Sequence, residues 1–267
     1  MPDDEIPMSE RPHARMAMTS PEDRTRHAIT AGIRANEGLI FEFAKAWYAS
    51  PYTFRATTVL GWPACKIPLD LWILMDLFTQ YKFRTVVECG TAGGGTTLWY
   101  AILMDLLGID DGRIFSIDID VPGPGEDRPR HDRITYVHGS SVDPAIVGQV
   151  ATDAGLHHGS RHPVLVNLDS SHHAPHVLHE LEAWAPLVPV GSYLVVEDTN
   201  GAPVMEDAAG NQVEVEGPLA AVLEYLARHP GEFTREVSCE RYWLTMNPHG
   251  WLQRARACSR HAAEASR

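Results

Sequence analysis

Thr85-Val86-Val87-Glu88-Cys89-Gly90-Thr91-Ala92-Gly93-Gly94-Gly95-Thr96-Thr97 reads as a strand, a glycine-rich turn and the start of a helix. The β-branched pair Val86 and Val87 suits a strand buried on both faces, and glycines let the chain turn sharply and approach a ligand that any Cβ would block. Thr96 and Thr97 open an apolar run from Leu98 to Leu107 that reads as a helix. Strand, turn and helix in that order predict a nucleotide-type ligand at the carboxyl end of a parallel strand. The turn is not the dinucleotide fingerprint. Counted from Gly90, the first and third glycines of G-x-G-x-x-G are Gly90 and Gly95, but the middle one falls on Ala92 and is missing.

Working outward, Arg113-Ile114-Phe115-Ser116-Ile117-Asp118 is a second strand ending in an acid. An E-x-G turn followed by such a strand is the arrangement of S-adenosylmethionine enzymes rather than of most nicotinamide enzymes. Asp118 can accept hydrogen bonds from both ribose hydroxyls of a nucleoside, or be a plain loop acid. Glu88 either meets the amino-acid portion of the ligand or braces the turn. The third strand, Ile134 to His138, runs into Gly139-Ser140-Ser141, which puts Ser141 where an adenine is held; His138 reads as structural. Gly90, Thr91, Ala92, Gly94, Thr96 and the strand-end Asp169 complete the expected cofactor contacts.

Strand-like segments recur at 84–89, 113–118, 133–138, 163–169 and 192–198, separated by helical stretches near 96–107, 143–154 and 174–186. Such alternation implies right-handed crossovers and a parallel sheet covered on both faces. Upstream, apolar residues at helical spacing between Glu22 and Ala49 predict one or two helices, and another runs from Leu69 to Tyr81 after the interruptions at Trp62-Pro63 and Ile67-Pro68. Downstream, 201–216 lacks periodicity and reads as a mobile loop, and Pro218 to Arg228 is a helix. Phe233–Val237 and Tyr242–Met246 are close enough for a hairpin. The expected fold is α/β: a Rossmann-like class I methyltransferase with a mainly parallel seven-stranded sheet, a C-terminal antiparallel hairpin and an N-terminal helical cap. The expected divisions are a flexible tail at 1–20, the cap at 21–82, the methyltransferase domain at 83–254 and a polar tail at 255–267.

A formal net charge of −13 over 267 residues argues against a nucleic-acid surface or an anionic membrane, since both need clustered Lys and Arg. Cys65, Cys89, Cys239 and Cys258 form no C-x-x-C pair, no apolar run is of membrane-spanning length and no signal peptide is visible. Reduced thiols and a cytoplasmic setting are expected.

The sharper chemistry lies in the fourth and fifth strands. Val164-Leu165-Val166-Asn167-Leu168-Asp169 ends in Asp169, and Tyr193-Leu194-Val195-Val196-Glu197-Asp198-Thr199-Asn200 ends in Glu197 and Asp198. Adjacent parallel strands bring these carboxylates together, where they repel one another, so something positive should sit between them. Oxygen ligands without Cys favour a hard cation such as Mg²⁺. The alternative is that the acids cap helices or are solvated. Ser170-Ser171-His172-His173-Ala174-Pro175-His176 follows, and imidazoles there suit general-base work. His176 and His179 read as surface residues or caps. A zinc site is the competing reading of the His cluster, weakened by the lack of H-E-x-x-H.

With these residues in place the chain resembles the cephalosporin hydroxylase-like group, many of whose members are sugar O-methyltransferases of rhamnosyl type in natural-product pathways. The resemblance spans residues 55–254. It is carried by Pro68-Leu69-Asp70-Leu71-Trp72, the turn at Glu88–Gly95, Ser116–Asp120, Gly139–Pro144, Leu168–His172, Gly191–Asn200 and Leu244–Leu252. It implies an S-adenosylmethionine-dependent O-methyltransferase with Mg²⁺ at Asp169, Glu197 and Asp198. The implied acceptor is a sugar hydroxyl, for instance of a deoxysugar such as rhamnose on a natural product or a nucleotide sugar, in antibiotic or other secondary-metabolite biosynthesis. Homo-oligomers are also implied. Relatives often carry Asp-Ser-Asp-His where this chain has Asp169-Ser170-Ser171-His172, and Ser171 cannot replace the acid as base. His172 stands at the offset from Asp169 where similar catechol methyltransferases use a Lys base, so His172 is the expected base and His173 the second candidate. Two other readings stay open: an oxidoreductase or hydroxylase on the same architecture, and a non-catalytic accessory protein that retains the cofactor.

Overall fold

The computed structural model describes residues 20–50, 52–53, 56–122, 127–157, 159–201 and 216–255, together with the backbone of 204–206 and 212–214. Two helices come first, α1 (Pro21–Ala35) and α2 (Glu37–Ala49). Ser20 and Asp23 form a reciprocal capping box with Pro21 at the first helical position, which satisfies amides that the helix leaves free. A short antiparallel ribbon, β1 (Thr58–Val59) with β2 (Trp62–Pro63), leads to α3 (Pro68–Tyr81). α3 ends where Lys82 turns left-handed. Then come β3 (Thr85–Cys89), α4 (Gly95–Leu106), β4 (Arg113–Asp118), β5 (Ile134–His138), α5 (Pro144–Asp153), β6 (Val164–Leu168), α6 (Ala174–Trp184) and β7 (Tyr193–Val196).

After β7 the chain makes a small ribbon, β8 (Val204–Glu206) against β9 (Gln212–Glu214), in the segment expected to be a loop. The helix α7 (Pro218–Arg228) and the strands β10 (Phe233–Arg235) and β11 (Trp251–Arg254) follow. Seven strands form one sheet in the order β10-β11-β7-β6-β3-β4-β5. The pairs among β7, β6, β3, β4 and β5 are parallel, and β11 is antiparallel to both neighbours. This is the expected Rossmann-like class I arrangement, with one correction. The last strand is Trp251–Arg254, not Tyr242–Met246. Trp243 and His249 have positive φ, and the Met246 amide donates to the Asp70 carboxylate (2.9 Å), so the intervening segment is held by side chains at the site instead of by a sheet ladder.

The strand period of two sorts the core into layers. Val87 and Cys89 of β3 pack with Val177, Leu181 and Trp184 of α6 and Val222 and Tyr225 of α7. Val86 packs on the other face with Leu74 and Phe78 of α3 and Tyr100 and Met104 of α4. Glu88 shares the α4 face, which decides its partners below. Apart from Ser20 and Ala255, the expected tails at 1–20 and 255–267 lie outside the described residues. No helix among the described residues is long and apolar enough to cross a membrane.

Candidate active site

The site lies at the carboxyl ends of β3, β4, β6 and β7, and the sheet ladder builds it. Cys89 pairs with Ile117 and Leu168, and Leu168 with Val196. Each ladder continues one residue further, from Gly90 N to Ile117 O (2.8 Å), Asp169 N to Cys89 O (2.7 Å) and Glu197 N to Leu168 O (3.0 Å). Gly90, Asp169 and Glu197 therefore stand side by side because the register of three parallel strands puts them there.

The glycines of the turn make room for protein backbone. A Cβ on Gly90, whose φ is +95°, would lie 1.9 Å from the Asp169 carbonyl oxygen, and one on Gly95 would lie 2.4 Å from the Trp62 carbonyl. The expectation that the glycines clear space for a ligand is corrected in that respect: the strand end of β6 and the β1–β2 ribbon fill the space. Gly94 is the N-cap of α4, and Thr96 is buried with its hydroxyl on the Ala64 carbonyl (3.3 Å).

Asp118 meets the tip of the turn. Its Oδ2 accepts from the amides of Thr91 and Ala92 (2.9 Å each) and from Arg128 Nη2 (3.2 Å), and its Oδ1 accepts from the Asp120 amide (2.9 Å). A ribose would have to share Oδ2 with Arg128. Glu88 braces the turn: it accepts from the hydroxyls of Thr97 and Ser116 (2.6 Å to Ser116), and Ser116 in turn lies 2.7 Å from the Thr91 hydroxyl. Burial pushes the Glu88 carboxyl up to about 7 against those hydrogen bonds. Ser141 is tied to α6. Its hydroxyl donates to Glu180 Oε1, which Ser170 also reaches (2.7 Å), because a fully buried carboxylate on α6 recruits the hydroxyls around it. His176 is a correction too: instead of a surface residue it is partly buried, 3.1 Å from the Ser170 hydroxyl.

Between the strand-end acids sits Lys66. Its Nζ lies 2.8 Å from Asp169 Oδ2 and 2.7 Å from Glu197 Oε1, with the lysine 1% exposed. Burial alone would lower the lysine pKa, but Asp169 and Glu197 outweigh it and hold the ammonium well above its ordinary value. Asp198 points the other way, toward His172, whose Nε2 is 3.1 Å from Asp198 Oδ2. Asp198 has φ +56°, and Asn247 Oδ1 holds the strained turn by accepting from its amide (3.1 Å). Asp198 Oδ1 is buried with no hydrogen-bond partner among the described residues. Burial pushes the Asp198 carboxyl up to about 6, opposed by His172. Burial likewise raises Glu197, opposed by Lys66, and brings Asp70 to about 7 with help from the Glu197 charge.

Ligand atoms of Asp169, His172 and Asp198 all lie within 4.8 Å of one another, a spacing that can hold a metal ion, and the orphaned Asp198 Oδ1 lacks a positive partner. Glu197, expected in the same set, is turned to Lys66. His173, the second candidate base, is the N-cap residue of α6 and is not part of that group.

The profile of the rhamnosyl O-methyltransferase/CmcI family matches residues 52–255. The chain belongs to that family. Rhamnosyl O-methyltransferases of Mycobacterium bovis (strain BCG / Pasteur 1173P2) and Mycobacterium leprae (strain TN) are each 28% identical to it over 224 residues, which is 83% of this chain and 87% and 93% of theirs. An apo structure of CmcI matches with a TM-score of 0.55 at 21% identity, covering 78% of this chain and 79% of that one. A CmcI structure with Mg and SAM matches with a TM-score of 0.53 at 19% identity, covering 79% and 84%. At such identities the likeness speaks for the fold.

Three site residues of this family member escape a reading of the chain in sequence order. Lys66 stands among Ala64, Cys65 and Ile67, and a lone cation in an apolar stretch is a signal of burial. Asp70, in the first turn of α3, reads as a helix-start acid, and Asn247 lies in an irregular segment, so neither announces a role at the site. Tyr48 of α2 also lies near these acids: its hydroxyl donates to Asn200 Oδ1 (3.1 Å), and after burial itself the Asp198 charge is what most raises its pKa.

Proposed function

We propose that this S-adenosylmethionine-dependent O-methyltransferase methylates a hydroxyl of a deoxysugar carried on a natural product or nucleotide, with Mg²⁺ held by Asp169, Glu197 and Asp198. The convergence of Asp169 and Asp198 beside the glycine turn, with His172 Nε2 3.1 Å from Asp198 Oδ2, carries the reading. When bound, the cation supplies Lewis-acid polarisation of the acceptor hydroxyl. The remaining work belongs to the chain. The turn at Glu88–Gly95 and Asp118 hold the donor, and the register of β3, β6 and β7 sets the acceptor beside it, because methyl transfer is an in-line displacement that depends on alignment. An ionised Asp198 can only accept, so at 3.1 Å the His172 Nε2 carries the hydrogen and Nδ1 keeps a lone pair. Nδ1 takes the hydroxyl proton, the oxygen–methyl bond forms as the sulfur–methyl bond breaks, and S-adenosylhomocysteine leaves.

The name rhamnosyl O-methyltransferase carried by the relatives supports a deoxysugar acceptor. Cys89 and Cys239 are buried free thiols, in keeping with a reducing cytoplasm. Neither α1 nor α2 buries a residue, and Leu39 and Phe41 are 67% and 62% exposed, which supports a homo-oligomer assembled through these helices.

The test is release of S-adenosylhomocysteine from a panel of deoxysugar acceptors with Mg²⁺ and with a chelator, for the wild type and Asp169→Ala. Mg²⁺-dependent turnover lost in the variant is the expected result. No turnover with any acceptor, together with no S-adenosylmethionine binding, would overturn the reading.

A further inference from the structure

We propose that Lys66 is a built-in counter-cation of the acid site that competes with the divalent cation for Asp169 and Glu197 and so sets the affinity for the metal. The inference rests on the metal-dependent reading above and deepens it. Lys66 ties together two of the three carboxylates expected to hold the cation, at 2.8 and 2.7 Å, while the third, Asp198, keeps a buried oxygen without a partner. Apart from His172, which faces Asp198, the further ionisable groups around Lys66 are acids: Asp70 and Glu88 are each 1% exposed, and Tyr100 is fully buried. A cluster this acidic would be hard to fold with its carboxylates ionised and no cation present. The ammonium makes the unloaded site possible, and it draws Asp169 and Glu197 toward their final places before any metal arrives.

The same ammonium opposes the metal in two ways. It occupies lone pairs of Asp169 Oδ2 and Glu197 Oε1, and it places a positive charge next to the incoming one. It is also tethered on its C-terminal side. The next residue, Ile67, hydrogen-bonds through its amide to Met246 Sδ (3.3 Å) and through its carbonyl to the Asp70 amide (3.0 Å), and Pro68 opens α3 directly after it. Lys66 therefore stays close to a bound metal. Lys66 acts as a positioning residue: it keeps the unloaded site assembled and holds metal affinity down, so that the acceptor's own hydroxyl oxygens contribute to metal binding.

The experiment titrates Mn²⁺, followed by the loss of the free-ion paramagnetic resonance signal, into the full chain as wild type, Lys66→Met, Lys66→Arg and Asp169→Asn. Lys66→Met, an unbranched apolar replacement, is expected to bind Mn²⁺ about tenfold tighter or more, because the repulsion and the competition vanish together. Lys66→Arg keeps the charge and is expected near the wild type. A purely architectural lysine gives the opposite sign, since its loss would scatter the carboxylates and weaken binding. If thermal melting shows that Lys66→Met does not fold, Lys66→Gln, which keeps a donor for Glu197, carries the same expectation. Wild-type binding that is lost in Asp169→Asn but not tightened in the neutral Lys66 variant overturns the role of Lys66 and leaves the metal site standing. No binding in the wild type or in the neutral variant overturns the metal site and the proposal with it. Binding that appears only once the lysine is neutralised supports both.

Discussion

Replacing Gly90 by alanine tests how the sheet builds the site. The new Cβ would fall 1.9 Å from the Asp169 carbonyl oxygen, 2.6 Å from its carbon and 2.9 Å from Ser170 Cα, all backbone atoms that cannot rotate away. The φ of +95° adds backbone strain of about 1–3 kcal/mol for a residue with a Cβ. Relieving the clash means moving the start of the Asp169 loop and breaking the 2.7 Å bond from Asp169 N to Cys89 O, a further loss of about 0.5–1.5 kcal/mol. The sum, about 1.5–4.5 kcal/mol, is below the usual 5–15 kcal/mol stability of a domain, so the variant should fold with its acid site displaced. Gly108→Ala is the matched control: φ is +63° there as well, but nothing lies within 4 Å of the added Cβ. Denaturant titration should show Gly90→Ala clearly less stable than Gly108→Ala, at an unchanged slope, and Mn²⁺ binding should be lost only in Gly90→Ala. Equal stability of the two variants, with the metal site intact in both, would refute the claim that close contact between β3 and β6 sets the position of Asp169.

Asn247→Ala removes the acceptor that holds the Asp198 amide, and kcat should fall about 10–100-fold while S-adenosylmethionine affinity, measured by calorimetry, stays unchanged. Asp118→Ala should do the reverse, weakening S-adenosylmethionine about 10–100-fold, since it strips the turn amides of their acceptor as well as the ribose of its own. Glu88 gives a pH signature. Its folded pKa is raised from 4.5 to about 7, so its contribution to stability is complete below 4.5 and is lost as the pH rises through about 7. Glu88→Gln should therefore melt higher than the wild type at pH 8, with the gap closing toward pH 5; a gap that does not change with pH would contradict the buried-carboxyl account.

Much of the fold was legible because its signals are local. Val86 and Val87, the run from Leu98 to Leu107 and the acids that end each strand announce their elements by period and by neighbour. The last strand was misread because Tyr242–Met246 has strand-like composition, whereas its backbone is committed to Asp70 and to left-handed turns that composition does not show. His176 reads as a surface residue or cap because sequence order does not show that Glu180, one turn further along α6, is fully buried and draws the imidazole and the Ser141 hydroxyl toward it.

Read without coordinates, the chain already showed the alternation of strands and helices in the Rossmann-like core, the position of the glycine turn and the acids at the ends of β6 and β7, since strand and helix periods and strand-end residues are properties of neighbours along the chain. It also implied that those acids needed a positive partner. The fold in three dimensions is what places Lys66, 103 residues before Asp169, between the carboxylates and turns Asp198 toward His172. Charge pairing of that kind depends on where separate elements bring their side chains in space, and no period or spacing along the chain records it.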